Sequence, residues 1–192
     1  MNVAGVVLFP GSGSSASHSS LVAMEQALAP LPVARVDFPY RRAGKPFPDR
    51  APVLVQCVRD EVRAFAGSLG VGTERIVIGG RSMGGRMCSM AVADTDDPLA
   101  VAGLVLVSYP LHPPKKPDNL RTAHLPDVHV PTLCVSGTKD DFGTPEELQR
   151  GFAVVPGPVE WHWIGNARHE LARKDEEVAR IAADWVTALR LP

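Results

Sequence analysis

Ser82, the adjacent pair Asp140 and Asp141, and His169 are the residues whose types, order and spacing in this sequence could do chemistry. A serine hydroxyl is a poor nucleophile alone. It becomes reactive when a histidine takes its proton and a carboxylate holds that histidine in the right tautomer. Such a set attacks a carbonyl carbon, carries the acyl group on the serine and passes it to water. Ser82 lies in Gly80-Arg81-Ser82-Met83-Gly84, a G-x-S-x-G pattern. The pattern suits a serine on a strained strand-to-helix turn, where flanking glycines let neighbouring backbone approach without a Cβ clash. Five residues are a weak signal in a glycine-rich chain, so the context carries the weight. Arg75–Ile78 reads as a strand before the motif, and Gly85–Ala93 reads as a helix after it.

The same turn offers charge stabilisation. The Met83 N–H would stand at the helix N-terminus, facing a developing oxyanion. A second donor belongs on the loop after the first strand, Phe9-Pro10-Gly11-Ser12-Gly13-Ser14, where the N–H of Gly11 or of Ser12 is the candidate. The competing readings of the motif are an idle serine in a glycine-rich turn and a phosphate-binding turn at Gly84–Gly85. The latter lacks the G-x-x-x-x-G-K-[ST] pattern.

These residues need elements to position them. Short, mostly continuous apolar runs recur at Val3–Phe9, Val33–Phe38, Arg75–Ile78, Val101–Val107, Thr132–Ser136 and Val159–Ile164. Strands buried on both faces of a helix-covered parallel sheet look like this. Between them lie helical stripes: Leu21, Met24 and Leu28; Leu54, Val58, Val62, Phe65 and Leu69, with Gly70 to end it; and Val178, Ile181, Trp185 and Leu189. The alternation predicts an α/β fold, a doubly wound, mostly parallel sheet of about six strands, in a single domain over residues 1–192.

In that frame Asp140 and Asp141 follow the strand Thr132–Ser136, and His169 follows the strand Val159–Ile164. Both then fall at C-terminal strand ends, on the sheet edge that carries Ser82 and where open α/β sheets bind ligands. His18, His112, His124, His129 and His162 compete for the base role, but His169 alone has the right order and a post-strand loop. From the residues alone, Asp140 and Asp141 remain alternatives.

The bulk numbers exclude other classes. Net charge is −1, with 45% hydrophobic and 21% charged residues, so neither a strongly basic nucleic-acid binder nor a disordered chain is expected. Cys57, Cys88 and Cys134 form no CxxC pair and read as buried thiols, with no metal or cofactor expected. The opening residues lack a basic segment, and no run reaches membrane-span length, so a cytoplasmic protein with no membrane partner is the expectation. Two proline-rich stretches, Pro39–Pro52 and Tyr109–Pro131, interrupt the rhythm.

Several blocks resemble a known group: Phe38-Pro39-Tyr40 with its basic loop, Gly80-Arg81-Ser82-Met83-Gly84-Gly85-Arg86, Tyr109-Pro110-Leu111-His112-Pro113-Pro114, Gly137-Thr138-Lys139-Asp140-Asp141-Phe142-Gly143, and the His169 loop. In this order they are similar to the small α/β-hydrolases related to testis-expressed protein 30 and NSL complex subunit 3, near the dienelactone hydrolases. The resemblance implies a three-layer α/β-hydrolase fold without a large lid and a Ser82–His169–Asp140 triad. It favours Asp140 because the family's acid precedes a Pro-Phe-Gly turn, and Asp141 replaces that proline. The family often has His-Gly where this chain has Pro10-Gly11, and dienelactone hydrolases use cysteine where this chain has Ser82. The expected activity is hydrolysis of a small-molecule ester or similar acyl compound in an open, shallow site. Arg41, Arg42 and Arg81 read as solvated surface arginines, with attraction of an anionic substrate as the other role open to them. The rival expectation is a non-catalytic interaction module that keeps the fold, as the NSL subunit suggests.

Overall fold

A computed structural model describes residues 2–190; Met1, Leu191 and Pro192, the ends of the span expected for the domain, lie outside the described residues. Six strands form one sheet: β1 (Gly5–Phe9), β2 (Val33–Arg35), β3 (Ile76–Arg81), β4 (Gly103–Val107), β5 (Thr132–Gly137) and β6 (Val159–Ile164). Their order is β2-β1-β3-β4-β5-β6, and every neighbouring pair is parallel. The expected mostly parallel sheet is therefore wholly parallel. The central strands β1, β3, β4 and β5 are buried at every position, which is why Val6–Phe9, Ile76–Ile78, Leu104–Val107 and Leu133–Val135 read as continuous apolar runs. The edge strands β2 and β6 are only partly buried.

Alternation along each strand sorts its side chains into two cores. Val6 and Leu8 join Val77, Val105 and Val135 on one face, beneath α1 (Ser19–Leu28) and α6 (Asp175–Ala188). Val7 and Phe9 join Ile76, Ile78, Leu104 and Leu106 on the other, beneath α3 (Ala51–Ser68) and α4 (Met83–Val92). The stripe Leu54, Val58 and Val62 of α3 is the buried face that the spacing predicts, and Gly70 adopts a positive φ of 67° just past the helix end. The layers are thus helix, sheet, helix. Among the described residues, no helix is long and apolar enough to cross a membrane.

Three features depart from the sequence expectation. Pro39–Pro52 is not all loop. It holds a short helix α2 (Pro39–Arg42) and the first residues of α3, with Phe38 and Tyr40 fully buried and Phe38 stacked on Phe9 at 5.3 Å. Helix α5 (Pro145–Phe152) was not anticipated, because only Leu148 and Phe152 mark its buried side. Its start was nonetheless written in Thr144-Pro145-Glu146-Glu147, a capping box in which Thr144 and Glu147 bond reciprocally. Tyr109–Pro131 packs Tyr109, Leu111, Leu125 and Val128 into the core, so it is a structural crossing between β4 and β5.

The chain runs from β1 outward to β2, then returns to place β3 on the opposite side of β1. The crevice between the C-terminal ends of β1 and β3 is therefore the topological switch point, where ligands enter open α/β sheets.

Candidate active site

Strand β3 ends at Arg81 and α4 begins at Met83, so Ser82 alone makes the turn. Its backbone sits at φ 50°, ψ −115°, a sparsely populated region for a residue with a Cβ. The strain is held by hydrogen bonds on both sides: Ser82 N–H donates to the Val107 carbonyl at 2.8 Å, and its own carbonyl accepts from Arg86 N–H at 3.1 Å. The motif glycines have a steric reason. A Cβ on Gly80 or on Gly84 would run into the Phe9 carbonyl oxygen, so both are needed for β1 to approach the elbow. Gly84→Ala is expected to push α4 away from β1 and to destabilise the fold by about 3 kcal/mol, read as a lower urea midpoint. An unchanged midpoint would contradict this packing argument.

His169 Nε2 lies 2.9 Å from Ser82 Oγ. Its Nδ1 lies 3.0 Å and 2.9 Å from the two carboxylate oxygens of Asp140. Asp140 Oδ1 also accepts from the Phe142 N–H at 2.8 Å, and the Phe142 ring stacks on the imidazole with centroids 4.0 Å apart. Asp140 is buried, whereas the Asp141 side chain is 65% exposed and points toward Arg168. The geometry thus brings Ser82, His169 and Asp140 together and leaves Asp141 outside.

Four of the other histidines have partners of their own, His18 while lining the same cavity as Ser82. His124 Nε2 is 2.8 Å from Ser89 Oγ, and burial together with the nearby Arg86 charge pushes its pKa down to about 4. Ser89 is fully buried, so this second Ser–His contact offers no accessible nucleophile. His112 meets Glu147, His162 meets Glu160 on the edge strand, and His18 caps α1 by accepting from the Ser20 N–H.

Ser82 and His169 open into a cavity of about 600 Å³ whose lining includes Gly11, Ser12 and Met83. Among the described residues, the N–H groups of these three donate to no protein acceptor. Gly11 is close enough that a Cβ there would stand 3.6 Å from Ser82 Cβ. Free amides from the end of β1 and the start of α4 therefore flank the serine. The loop carrying Gly11 and Ser12 is held from two sides. The Ser14 amide donates to the Gly11 carbonyl at 3.1 Å, and the buried Tyr40 hydroxyl donates to the Ser12 carbonyl at 2.8 Å.

Sequence reasoning missed this role of Tyr40, although Phe38-Pro39-Tyr40 stood among the blocks that resemble the family. It also misplaced Arg81. Rather than a solvated surface residue, Arg81 is 5% exposed. Its Nη2 donates to the His169 carbonyl at 2.9 Å and to Glu170 Oε2 at 2.8 Å. This hydrogen bond holds the Glu170 carboxyl below its ordinary range despite partial desolvation. Arg81 thereby ties the histidine loop to the end of β3. An arginine inside the motif, at the end of a fully buried strand, was the available signal. Arg42, in contrast, is exposed and pairs with Glu61. The three cysteines are buried and free. Among the described residues, no cluster of three His, Cys, Asp or Glu side chains is disposed to hold a metal ion.

The family model described as alpha/beta hydrolase domain matches residues 2–190. Among solved structures, the chain is similar to an alpha-beta serine hydrolase homologue from Coxiella burnetii, with 16% identity and a TM-score of 0.75 over 96% of this chain and 86% of that one. It is also similar to a dienelactone hydrolase from Anabaena variabilis, with 21% identity and a TM-score of 0.72 over 98% and 88% of the two chains. A monoacylglycerol lipase from Paleococcus ferrophilus aligns with 16% identity and a TM-score of 0.74 over 96% and 94%. At these identities the likeness is one of fold.

Proposed function

Since the chain belongs to the alpha/beta hydrolase domain family, we propose that it is a serine hydrolase that cleaves an ester or similar acyl substrate through Ser82, His169 and Asp140. The observation that carries this reading is the continuous set of contacts from Asp140 through His169 to Ser82, which opens into a cavity lined by free amides. His169 Nε2 takes the Ser82 proton as Oγ attacks the substrate carbonyl carbon. Negative charge moves to the carbonyl oxygen, where the N–H of Met83 and of Gly11 or Ser12 can stabilise it. The tetrahedral centre collapses, and His169 gives its proton to the leaving alkoxide. Water then repeats the sequence on the acyl-serine, with its proton passing to His169 and from there to Ser82 Oγ, which releases a carboxylic acid. Asp140 stays ionised and holds Nδ1–H toward itself, so that Nε2 is the accepting nitrogen. The chemistry asks for no cofactor.

A fluorophosphonate probe tests the reading. Labelling of the folded protein at Ser82 supports it, and absence of labelling would favour an interaction module that keeps the fold. The sequence blocks named above support placing the chain in the branch related to testis-expressed protein 30 and NSL complex subunit 3.

Tyr40 supplies a separate expectation. Tyr40→Phe removes the bond to the Ser12 carbonyl and loosens the loop that offers the second amide. It is expected to lower kcat about tenfold with KM little changed, because an oxyanion donor acts chiefly in the transition state. Steady-state kinetics on a short-chain ester checks this; a change confined to KM would rule it out.

A further inference from the structure

The cavity beside Ser82 contains more positive charge than the reaction described above uses. Arg81, Arg86 and Arg121 all line it. Arg81 is committed to Glu170 and to the His169 carbonyl. Arg86 and Arg121 are different: among the described residues, neither of these cavity-lining guanidiniums has a carboxylate partner within 4 Å, whereas Arg81 does. Arg86 Nε is moreover buried without any hydrogen-bond partner. A buried, unpaired donor on a permanent cation is costly and is normally avoided.

The fold places both residues at the cavity, and a hydrogen bond holds the Arg121 side chain there. Arg86 lies one helical turn beyond Ser82 on α4, with its N–H bonded to the Ser82 carbonyl, so it rises on the serine's side of the helix. Arg121 lies on the β4–β5 crossing. Its N–H donates to the Leu111 carbonyl at 2.8 Å, its carbonyl accepts from the buried Tyr109 hydroxyl at 2.6 Å, and its Nη1 donates to the Pro110 carbonyl at 3.3 Å. Burial and the charge of Arg86 both depress the Arg121 pKa. Two like charges therefore face one cavity whose lining carboxylate, Glu170, is already bonded to Arg81. Planar guanidinium forks match the oxygens of a carboxylate or a phosphate.

We propose that Arg86 and Arg121 form an anion-recognition subsite of this cavity, so that the preferred substrate is an ester carrying a carboxylate or phosphate group. The proposal rests on Ser82 being the nucleophile. It differs from attraction by Arg41 and Arg42 on α2, because Arg86 and Arg121 line the cavity itself.

Matched esters test it. Monomethyl adipate is compared with methyl hexanoate, and acetylglycerol phosphate with acetylglycerol, by pH-stat on the full chain. The charged member of at least one pair is expected to have a kcat/KM higher by about tenfold or more, carried by KM. The pair that shows the preference tells carboxylate from phosphate. Arg86→Gln and Arg121→Gln should each shrink the preference several-fold, and Arg42→Gln should leave it intact. If Arg86→Gln does not fold, Arg121→Gln gives the reading. Calorimetric titration of Ser82→Ala with adipate and with glycerol 3-phosphate reports the subsite without turnover. Binding there that is lost in Ser82→Ala/Arg121→Gln supports the subsite even if fluorophosphonate labelling fails, in which case only the nucleophile assignment falls. Equal kcat/KM within both pairs, or a preference that survives Arg86→Gln/Arg121→Gln, would overturn the proposal.

Discussion

Replacing Ser82 by alanine is expected to abolish fluorophosphonate labelling and to lower ester turnover by on the order of 10⁴–10⁶-fold while the protein stays folded. The loss is large because attack, proton transfer and acyl transfer all run through one oxygen. Alanine keeps the Cβ, so the unusual backbone at φ 50° and the bonds to Val107 and from Arg86 persist. Stability should therefore change by no more than about 1 kcal/mol, since a partly exposed hydroxyl is all that is removed. The experiment pairs single-turnover or steady-state rates with a urea midpoint. Retained turnover in folded Ser82→Ala would mean that the cavity works by a different nucleophile, or that the activity is not this site's.

Asp140→Asn should cost on the order of 10⁴-fold in kcat at neutral pH, for a reason set by this site's hydrogen bonds. Asp140 Oδ1 accepts from the Phe142 N–H at 2.8 Å. An asparagine must keep its carbonyl oxygen there, because an amide NH₂ cannot accept. Its NH₂ then falls at the Oδ2 position, 2.9 Å from His169 Nδ1, and donates to that nitrogen. Although the carbonyl oxygen at the Oδ1 position also lies 3.0 Å from Nδ1, the donating NH₂ shifts the imidazole toward carrying its proton on Nε2, where it can no longer take one from Ser82 Oγ. The site would look intact yet hold the wrong tautomer. Asp141→Asn is the matched control: its side chain is largely exposed, and its nearest charge is Arg168 at 3.7 Å. Activity should stay within about twofold of the unmodified protein, as for other surface changes away from special features. If Asp141→Asn were the damaging change and Asp140→Asn the mild one, the acid would be misassigned.

Much of the frame was legible in the sequence because a parallel sheet imposes a local signature. Its strands are buried on both faces, so β1 and β4 are written almost wholly in apolar residues and β5 carries Leu133, Cys134 and Val135 at its centre. Strand β6 has the same bounds in sequence and structure, Val159–Ile164. The long helix α3 announced itself by period, and the elbow by glycines that the Phe9 carbonyl leaves no room to replace. Ends blurred in both directions: β2 stops at Arg35 although Val36 and Phe38, within the expected Val33–Phe38, are apolar. Strand β3 runs on through Gly79, Gly80 and Arg81, which carry no apolar mark. The short helix α5 was signalled only by its cap.

What sequence alone determined was therefore the succession of strands and, through it, that Ser82, the Asp140–Asp141 pair and His169 lie at C-terminal strand ends on one edge of the sheet. That follows from connectivity, since each parallel strand delivers its following loop to the same edge. Tertiary structure decided the rest, because side-chain direction and burial come from contacts between residues far apart in the chain. The turn after β5 aims Asp140 at His169 and its neighbour at solvent. The return of α2 brings Tyr40 beneath the Ser12 carbonyl, and the burial of Arg81 turns a motif residue into a tie for the histidine loop. The meeting of Arg86 and Arg121 at one cavity, across all of β4 and the first half of its crossing, exists only in three dimensions. No local pattern of residue types encodes two unpartnered charges facing one cavity.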